Sequence, residues 1–252
     1  MEHILSLSYG KDSMACLGAI EELGWPLERI VTADVWATPD IPSELPPVVE
    51  FKKYADKVIK DRWNIEVEHF DAGISFEEQF YKVRHRKNKE DCIYGFPCMK
   101  GNWCNSNLKM AAINKILKET KNCIQYVGIA YDEPKRFHNL SKTKISPLVE
   151  LKWTEADCYK WSEDNNLLSP TYKNFVRDGC WFCYNARIEQ LRNIYHNYPE
   201  YWKLMLKWDN DSPVTFHPDG HTVHDFDKRF EMEDQGIIPT DRKFRWKMLE
   251  ND

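Results

Sequence analysis

Short apolar runs alternate with amphipathic stretches along the first two thirds of the chain, and that rhythm predicts the architecture. Residues 3–8 carry Ile4, Leu5 and Leu7 in a run too short for a helix and read as a buried strand. Helical spacing follows over 12–24, ending at Gly24 with Pro26 just beyond, a normal stop. Arg29 to Trp36, with Ile30, Val31, Ala33 and Val35, predicts a second strand, and Pro39, Pro42, Pro46 and Pro47 predict an irregular loop after it. Phe51, Tyr54, Val58 and Ile59 recur at helical spacing over 48–63, and 65–70 reads as a third strand. Residues 75–108 break the rhythm. It resumes with a helix at 110–119, a strand at 123–130, and a helix opened by Thr154 whose first-turn Glu155 and Asp157 suit the helix dipole. Residues 184–206 read as helical and aromatic-rich, and 207–252 show weak periodicity. Strands alternating with helices predict an α/β fold, a Rossmann-like parallel sheet flanked by helices and joined by right-handed crossovers. A core over 1–175 and a C-terminal region over 176–252 are expected.

The junction of the first strand and first helix changes this from an architecture to a candidate site. Ser8-Tyr9-Gly10-Lys11-Asp12-Ser13 turns from apolar strand into helix. Unpaired amides and the dipole at a helix N-terminus attract anions. Gly10 admits close backbone approach, Ser8 and Ser13 offer hydroxyls, and Lys11 adds a point charge. The segment reads as a phosphate cradle, although an ordinary strand-to-helix turn would share some of these residues. It is neither a Walker loop nor a dinucleotide fingerprint, because neither glycine spacing is present.

Composition narrows the class. The 252 residues are 42% hydrophobic and 30% charged with a net charge of −5, which argues against a globally basic nucleic-acid binder. Lys82 to Lys89 is a local basic run that could hold a polyanion or simply be a solvated loop. No run reaches the roughly 18 apolar residues of a membrane span. The first residues carry no secretory pattern, so a cytoplasmic location is expected. Eight cysteines in such a chain favour metal or catalytic use over disulfides. Cys180-x2-Cys183 is a metal-type knuckle, and Cys98-x5-Cys104 is a second pair upstream. Together they could supply four thiolates to one zinc ion or one 4Fe–4S cluster, a choice that spacing leaves open. Cys92 could replace Cys98 as a ligand, whereas Cys16, Cys123 and Cys158 read as small core hydrophobes. His217, His221 and His224 surround an Asp219-Gly220 turn and could bind a metal or an anion, or be incidental to the turn.

Ser-Tyr-Gly-Lys-Asp-Ser resembles the S-x-G-x-D-S motif of the PP-loop ATP pyrophosphatase superfamily, in the form used by its phosphoadenosine phosphosulfate (PAPS) reductase family. Gly128-Ile129-Ala130-Tyr131-Asp132-Glu133-Pro134-Lys135-Arg136 resembles that family's G-x-R-x-x-E-S-x-x-R-type loop, with Ala130 in place of an arginine. Ser146 to Asp157 and Asn165 to Cys183 resemble two further segments, so the likeness spans about 3–187. It implies an adenine-nucleotide α-hydrolase type of fold. It also implies ATP, PAPS or adenosine phosphosulfate as the nucleotide, bound by Ser8, Tyr9, Gly10, Lys11, Asp12, Ser13, Gly128 and Arg136, with Mg2+. Asp34, near the end of the second strand, could reach adenine or ribose or act as a structural cap, and Lys109 and Arg136 could meet the anionic tail of the substrate or be surface cations. Lys11, Asp12 and Ser13 are then the catalytic candidates. No cysteine follows Cys183, which speaks against the sulfonucleotide reductase reaction, since that chemistry needs a C-terminal nucleophilic thiol. The expectation is instead an ATP pyrophosphatase coupled to sulfur transfer onto a nucleic acid or small molecule. Its partners would be that acceptor and a sulfur donor such as a cysteine desulfurase, with no membrane and with a homo-oligomer left open. A reductase with an unusual thiol and a non-catalytic nucleotide sensor holding structural zinc are the alternatives.

Overall fold

The computed structural model describes residues 1–85, 90–97, 102–120, 122–175 and 178–250. They form two compact units, Met1–Ser75 with Asn105–Gly179, and Phe76–Cys104 with Cys180–Asp252.

The first unit is built on a parallel sheet of five strands. They are β1 (Glu2–Ser6), β2 (Arg29–Ala33), β3 (Val67–Phe70), β4 (Cys123–Val127) and β5 (Lys144–Ile145), in the spatial order β3-β2-β1-β4-β5. Ile4 pairs with Arg29 on one side of β1 and with Gln125 on the other. The strands read as near-continuous apolar runs because both faces are covered. On one face Leu5, Ile30 and Tyr126 join a core with α1 (Lys11–Leu23) and α2 (Pro46–Trp63). On the other, Ile4 and Val31 meet Ile116 of α3 (Met110–Glu119). Every other residue along a strand faces the same side, so Ile4 and Leu5 serve opposite cores.

Local signals set the ends of these elements. Gly24 caps α1 at φ 63°, as a left-handed C-cap should. Pro46 and Pro47 do not extend the expected loop; they open α2, where a missing N–H costs nothing. Within that loop, Trp36–Thr38 and Ile41–Pro42 form a small antiparallel pair. Thr154 caps α4 (Glu155–Asp164) through a reciprocal capping box with Asp157.

Aromatic side chains make up the core of the second unit. Phe76 stacks on Trp103 with ring centroids 5.0 Å apart and packs on Phe182 at 4.3 Å, while Trp181 stacks on Trp208 at 5.7 Å. The buried Trp208 indole donates to Glu77 at 3.0 Å. Helices α5 (Ile188–Asn197) and α6 (Pro199–Asp211) divide the helical stretch at Pro199. Helix α7 (Val223–Asp234) lies in the region of weak periodicity and buries Val223, Phe226 and Phe230. Its Arg229 pairs with Glu233 at 2.8 Å and lies over the Phe244 ring at 3.6 Å, which ties down the chain beyond it. Among the described residues no helix is long and apolar enough to cross a membrane.

Helices α1 and α4 meet through a glycine. A Cβ on Gly18 would lie 2.2 Å from the Trp161 ring. Gly18→Ala must push a bulky indole out of a filled space, and overpacking of this kind costs about 1–3 kcal/mol. A melting temperature several degrees lower, measured by circular dichroism, is the expected outcome.

Candidate nucleotide site

The turn at residues 7–10 leaves the carboxyl end of β1, the strand from which the chain runs to β2 on one side while β4 lies on the other. This is where open α/β sheets bind ligands. The Gly10 N-cap of α1 has no side-chain cap hydrogen bond, so the first-turn amides have no intrahelical partner and no cap of their own. Ser13 braces the turn from within. Its hydroxyl accepts from the Ser8 amide at 3.1 Å, lies 3.0 Å from the Ser8 hydroxyl and donates to the Gly10 carbonyl at 3.0 Å. The Lys11 amide donates to the Tyr172 hydroxyl at 3.3 Å.

Gly128, just past β4, presses on the opposite side of the same turn. A Cβ there would lie 2.6 Å from the Ser13 backbone nitrogen. The glycine is therefore required by a close backbone approach, which brings the loop after β4 onto the first turn of α1.

Charge gathers at this junction. Lys11 Nζ lies 2.6 Å from Asp12 and 3.4 Å from Glu155. One carboxylate oxygen each from Asp12, Glu133 and Glu155 falls within 4.8 Å of the others. Burial raises the Asp12 pKa despite the opposing hydrogen bond and charge of Lys11, and Glu155 and Glu133 raise it further. For Lys11, burial disfavours the charge, but Asp12 and Glu155 outweigh it and the pKa rises. Three hard oxygen donors of this kind are the donor set that suits Mg2+. Glu133 also accepts from the Ala130 amide at 3.3 Å and pairs with Arg136 at 2.7 Å, so it braces the loop that carries Gly128.

The other candidates stand in different settings. Tyr9 takes a left-handed backbone, φ 58°, a conformation that costs a non-glycine residue about 1–2 kcal/mol. Its side chain is 2% exposed. Asp34 lies beyond β2 on the wall of a cavity that Val35, Trp36, Pro42 and Val49 also line. Its carboxylate is paired with Lys52 and with His69 at 2.8 Å. His69 and Lys52 hold the Asp34 pKa down although burial works to raise it. Arg136 and Lys109 are exposed, Arg136 paired with Glu133 and Lys109 closing a π-helical turn before α3. Tyr172 and Glu133 lie inside segments that the family resemblance covers, without a role of their own there, whereas His69 and Asp56 carry no signal in the sequence. Glu155 carried a partial signal beside the Thr154 cap, but nothing local shows that the start of α4 meets the start of α1.

Of the candidate ligands, Cys104, Cys180 and Cys183 belong to the second unit. Cys98 lies outside the described residues, as do Arg86 to Lys89 of the basic run. The Cys183 amide donates to the Cys180 carbonyl at 3.1 Å, closing the knuckle as a turn. Trp181 and Phe182, between the two thiols, are buried. Trp103, next to Cys104, and Phe182 both pack on Phe76, and the Tyr184 hydroxyl donates to Asn102. The segments bearing Cys104 and Cys180–Cys183 thus converge on one aromatic cluster. Cys16 and Cys158 are fully buried, and burial raises both thiol pKa values. The histidines take separate partners. His217 lies 2.6 Å from Asp219, His221 stacks on Trp246 at 3.5 Å, and His224 meets Asn210 at 2.9 Å. Among the described residues they form no three-ligand group, which favours the turn reading.

No family model matches the chain. It is 26% identical over 179 residues to an uncharacterized protein of Methanocaldococcus jannaschii, covering 61% of this chain and 42% of that protein. The chain therefore spans less than half the length of this curated relative. Among solved structures, it aligns with the U34-tRNA thiolase NcsA of Methanococcus maripaludis, described with its 4Fe-4S cluster. That alignment has a TM-score of 0.40 and 13% identity over 96% of this chain and 74% of the thiolase.

The Gly128 contact is directly testable. Gly128→Ala puts a methyl group against backbone that cannot swing away, so the turn must shift. Binding of inorganic pyrophosphate, measured by calorimetry, is expected to weaken by about tenfold or more, the equivalent of about 1.4 kcal/mol.

Proposed function

We propose that this protein binds ATP on the turn at residues 8–13 and cleaves it between the α- and β-phosphates, activating an acceptor for sulfur transfer. The observation that carries this reading is the uncapped start of α1, pressed by Gly128 at the point where the sheet order reverses. First-turn amides, the Ser8 and Ser13 hydroxyls and Lys11 would hold the pyrophosphate portion. Asp12, Glu133 and Glu155 would hold Mg2+, which supplies charge neutralisation on the phosphates. An acceptor oxygen attacks the α-phosphorus, and pyrophosphate leaves with the electrons of the broken P–O bond. A hydrosulfide-level nucleophile then attacks the acceptor carbon, and AMP leaves with the former acceptor oxygen. Lys11 stabilises charge as pyrophosphate departs, and its pairing with Asp12 fixes its position.

Sulfur transfer, with a nucleic acid or small molecule as acceptor, is supported by the cysteine segments that converge on Phe76. Thiol donors suit zinc or an iron–sulfur cluster, and Cys104, Cys180 and Cys183, with Cys98, would hold it. Such a centre would supply a binding site for sulfide or a fixed anchor for the knuckle.

Release of pyrophosphate from Mg-ATP, followed by an enzyme-coupled assay with candidate acceptors and sulfide, tests the reading. Lys11→Ala is expected to lower turnover by at least about a hundredfold, as loss of a charge-stabilising group does. Nucleotide binding with no pyrophosphate release under any acceptor would leave a sensor rather than an enzyme. Anaerobic purification with iron, sulfide and zinc analysis tests the thiol site separately. One zinc or one cluster per chain is expected, lost in Cys180→Ser/Cys183→Ser. A metal-free protein would remove the shared centre.

A further inference from the structure

Tyr9 is the unusual residue of the phosphate-binding turn. A large ring occupies a left-handed position that glycine would take without strain, and the ring points away from solvent. Its surroundings explain why. The hydroxyl donates to Asp56 at 2.5 Å and lies 3.3 Å from His69 Nε2. The ring stacks on the His69 imidazole with centroids 6.3 Å apart, and Lys52 Nζ lies 5.0 Å from the ring centroid. His69 bridges two carboxylates, Asp56 at 3.0 Å and Asp34 at 2.8 Å. Lys52 pairs with Asp34 and reaches Glu44 at 3.7 Å. Groups from α2, β3, the end of β2 and the loop before α2 thus meet behind one tyrosine.

We propose that Tyr9 is a positioning residue, which anchors its hydroxyl in the Asp56–His69 cluster and so holds the turn in the shape that presents the first-turn amides of α1. The role rests on reading that turn as an anion site, but the anchor itself belongs to the ligand-free protein. Ser13 ties down the side of the turn nearest Ser8. Gly10 makes no side-chain cap hydrogen bond, and the Tyr172 hydroxyl holds the Lys11 amide on the helix side, which leaves the residue before Gly10 to fix the angle at which the chain enters. Tyr9 supplies that fixed point, and Asp56 and His69 are far from the phosphates in sequence and belong to the scaffold.

The cluster also gives the anchor a pH dependence. Hydrogen bonds to Asp34, then to Asp56, raise the His69 pKa to about 9 against the opposing effect of burial. A folded pKa above the ordinary histidine value of 6.5 means the stabilisation is fully present below about pH 6.5 and lost as pH rises through 9. Above that pH, Lys52 faces Asp34 and Glu44 while Lys53, on the same cavity wall, pairs with Glu50 at 2.8 Å. Asp56 then loses its charged partner, and the Tyr9 anchor loosens with it.

Hydrogen exchange at the Lys11 and Met14 amides, which donate to Tyr172 and to Gly10, with binding of Mg-ATP and of inorganic pyrophosphate by calorimetry, tests this in wild type, Tyr9→Phe, Tyr9→Gly and His69→Gln from pH 6 to 10. Tyr9→Phe keeps the ring and removes only the anchor. It is expected to speed exchange in the turn and weaken both ligands, each by about tenfold, the scale of one hydrogen bond to a charged acceptor. Tyr9→Gly should do the same despite relieving the backbone. Wild-type protection, corrected for intrinsic exchange, should fall as pH passes 9, whereas His69→Gln should be weaker and flat. Asp56→Asn loosens the turn in the same sense and serves if the Tyr9 variants do not fold. Wild-type exchange in Tyr9→Phe and Tyr9→Gly overturns the anchor whether or not nucleotide binds. If wild type binds neither ligand while Tyr9→Phe still loosens the turn, the anion-site reading fails and the anchor stands.

Discussion

The structure of the candidate site depends on one close approach, the backbone of Gly128 against the amide of Ser13. Two consequences follow from it. The loop after β4 comes close enough to deliver Glu133 to Asp12, and the first turn of α1 is fixed at the point where the strand order reverses. Neighbouring chain segments normally keep a side chain's width apart, and here that spacing is removed. The cost is a position that tolerates no other residue. What it provides is a concentrated field: helix dipole, lysine and three carboxylates in one small volume. Even with Arg136 on Glu133, three carboxylates face two cations, and burial raises the pKa of Asp12.

Much of this was legible in the sequence, for local reasons. The strand, turn and helix over 2–23 follow from apolar pattern, glycine and C-cap, all of which act within a few residues. The same holds for the Thr154 cap. Where sequence reading differed from the structure, another local rule had priority. Pro46 and Pro47 looked like loop residues but fill the first helical positions of α2. Helix α7 was obscured by charged residues on its outer face, although Thr222 with Asp225 is a capping box and Val223, Phe226 and Phe230 form a helical stripe. The two-residue strand β5 is too short to carry any periodic signal.

Contacts distant in sequence were not legible. Phe76 packs against Phe182 across more than a hundred residues, so the segment that interrupts the sheet clusters with the C-terminal part of the chain. Nothing in 76–104 alone announces that. Similarly, Tyr172 reaches the Lys11 amide, and Asp56 with His69 backs Tyr9, through a tertiary arrangement that no motif encodes. Motifs named residues of the turn itself; Asp56 and His69, which back Tyr9, came only from the fold.

The sheet also limits how copies of this chain could meet. One edge is β5, two residues long, too short to template a partner strand. The other is β3, where Glu68 is held by Arg29 through two hydrogen bonds and His69 is engaged by Asp34 and Asp56. A strand added there would lie alongside side chains already committed to ionic contacts. Among the described residues, the sheet therefore ends in a two-residue strand on one side and, on the other, in a strand whose Glu68 and His69 side chains are held in ionic contacts.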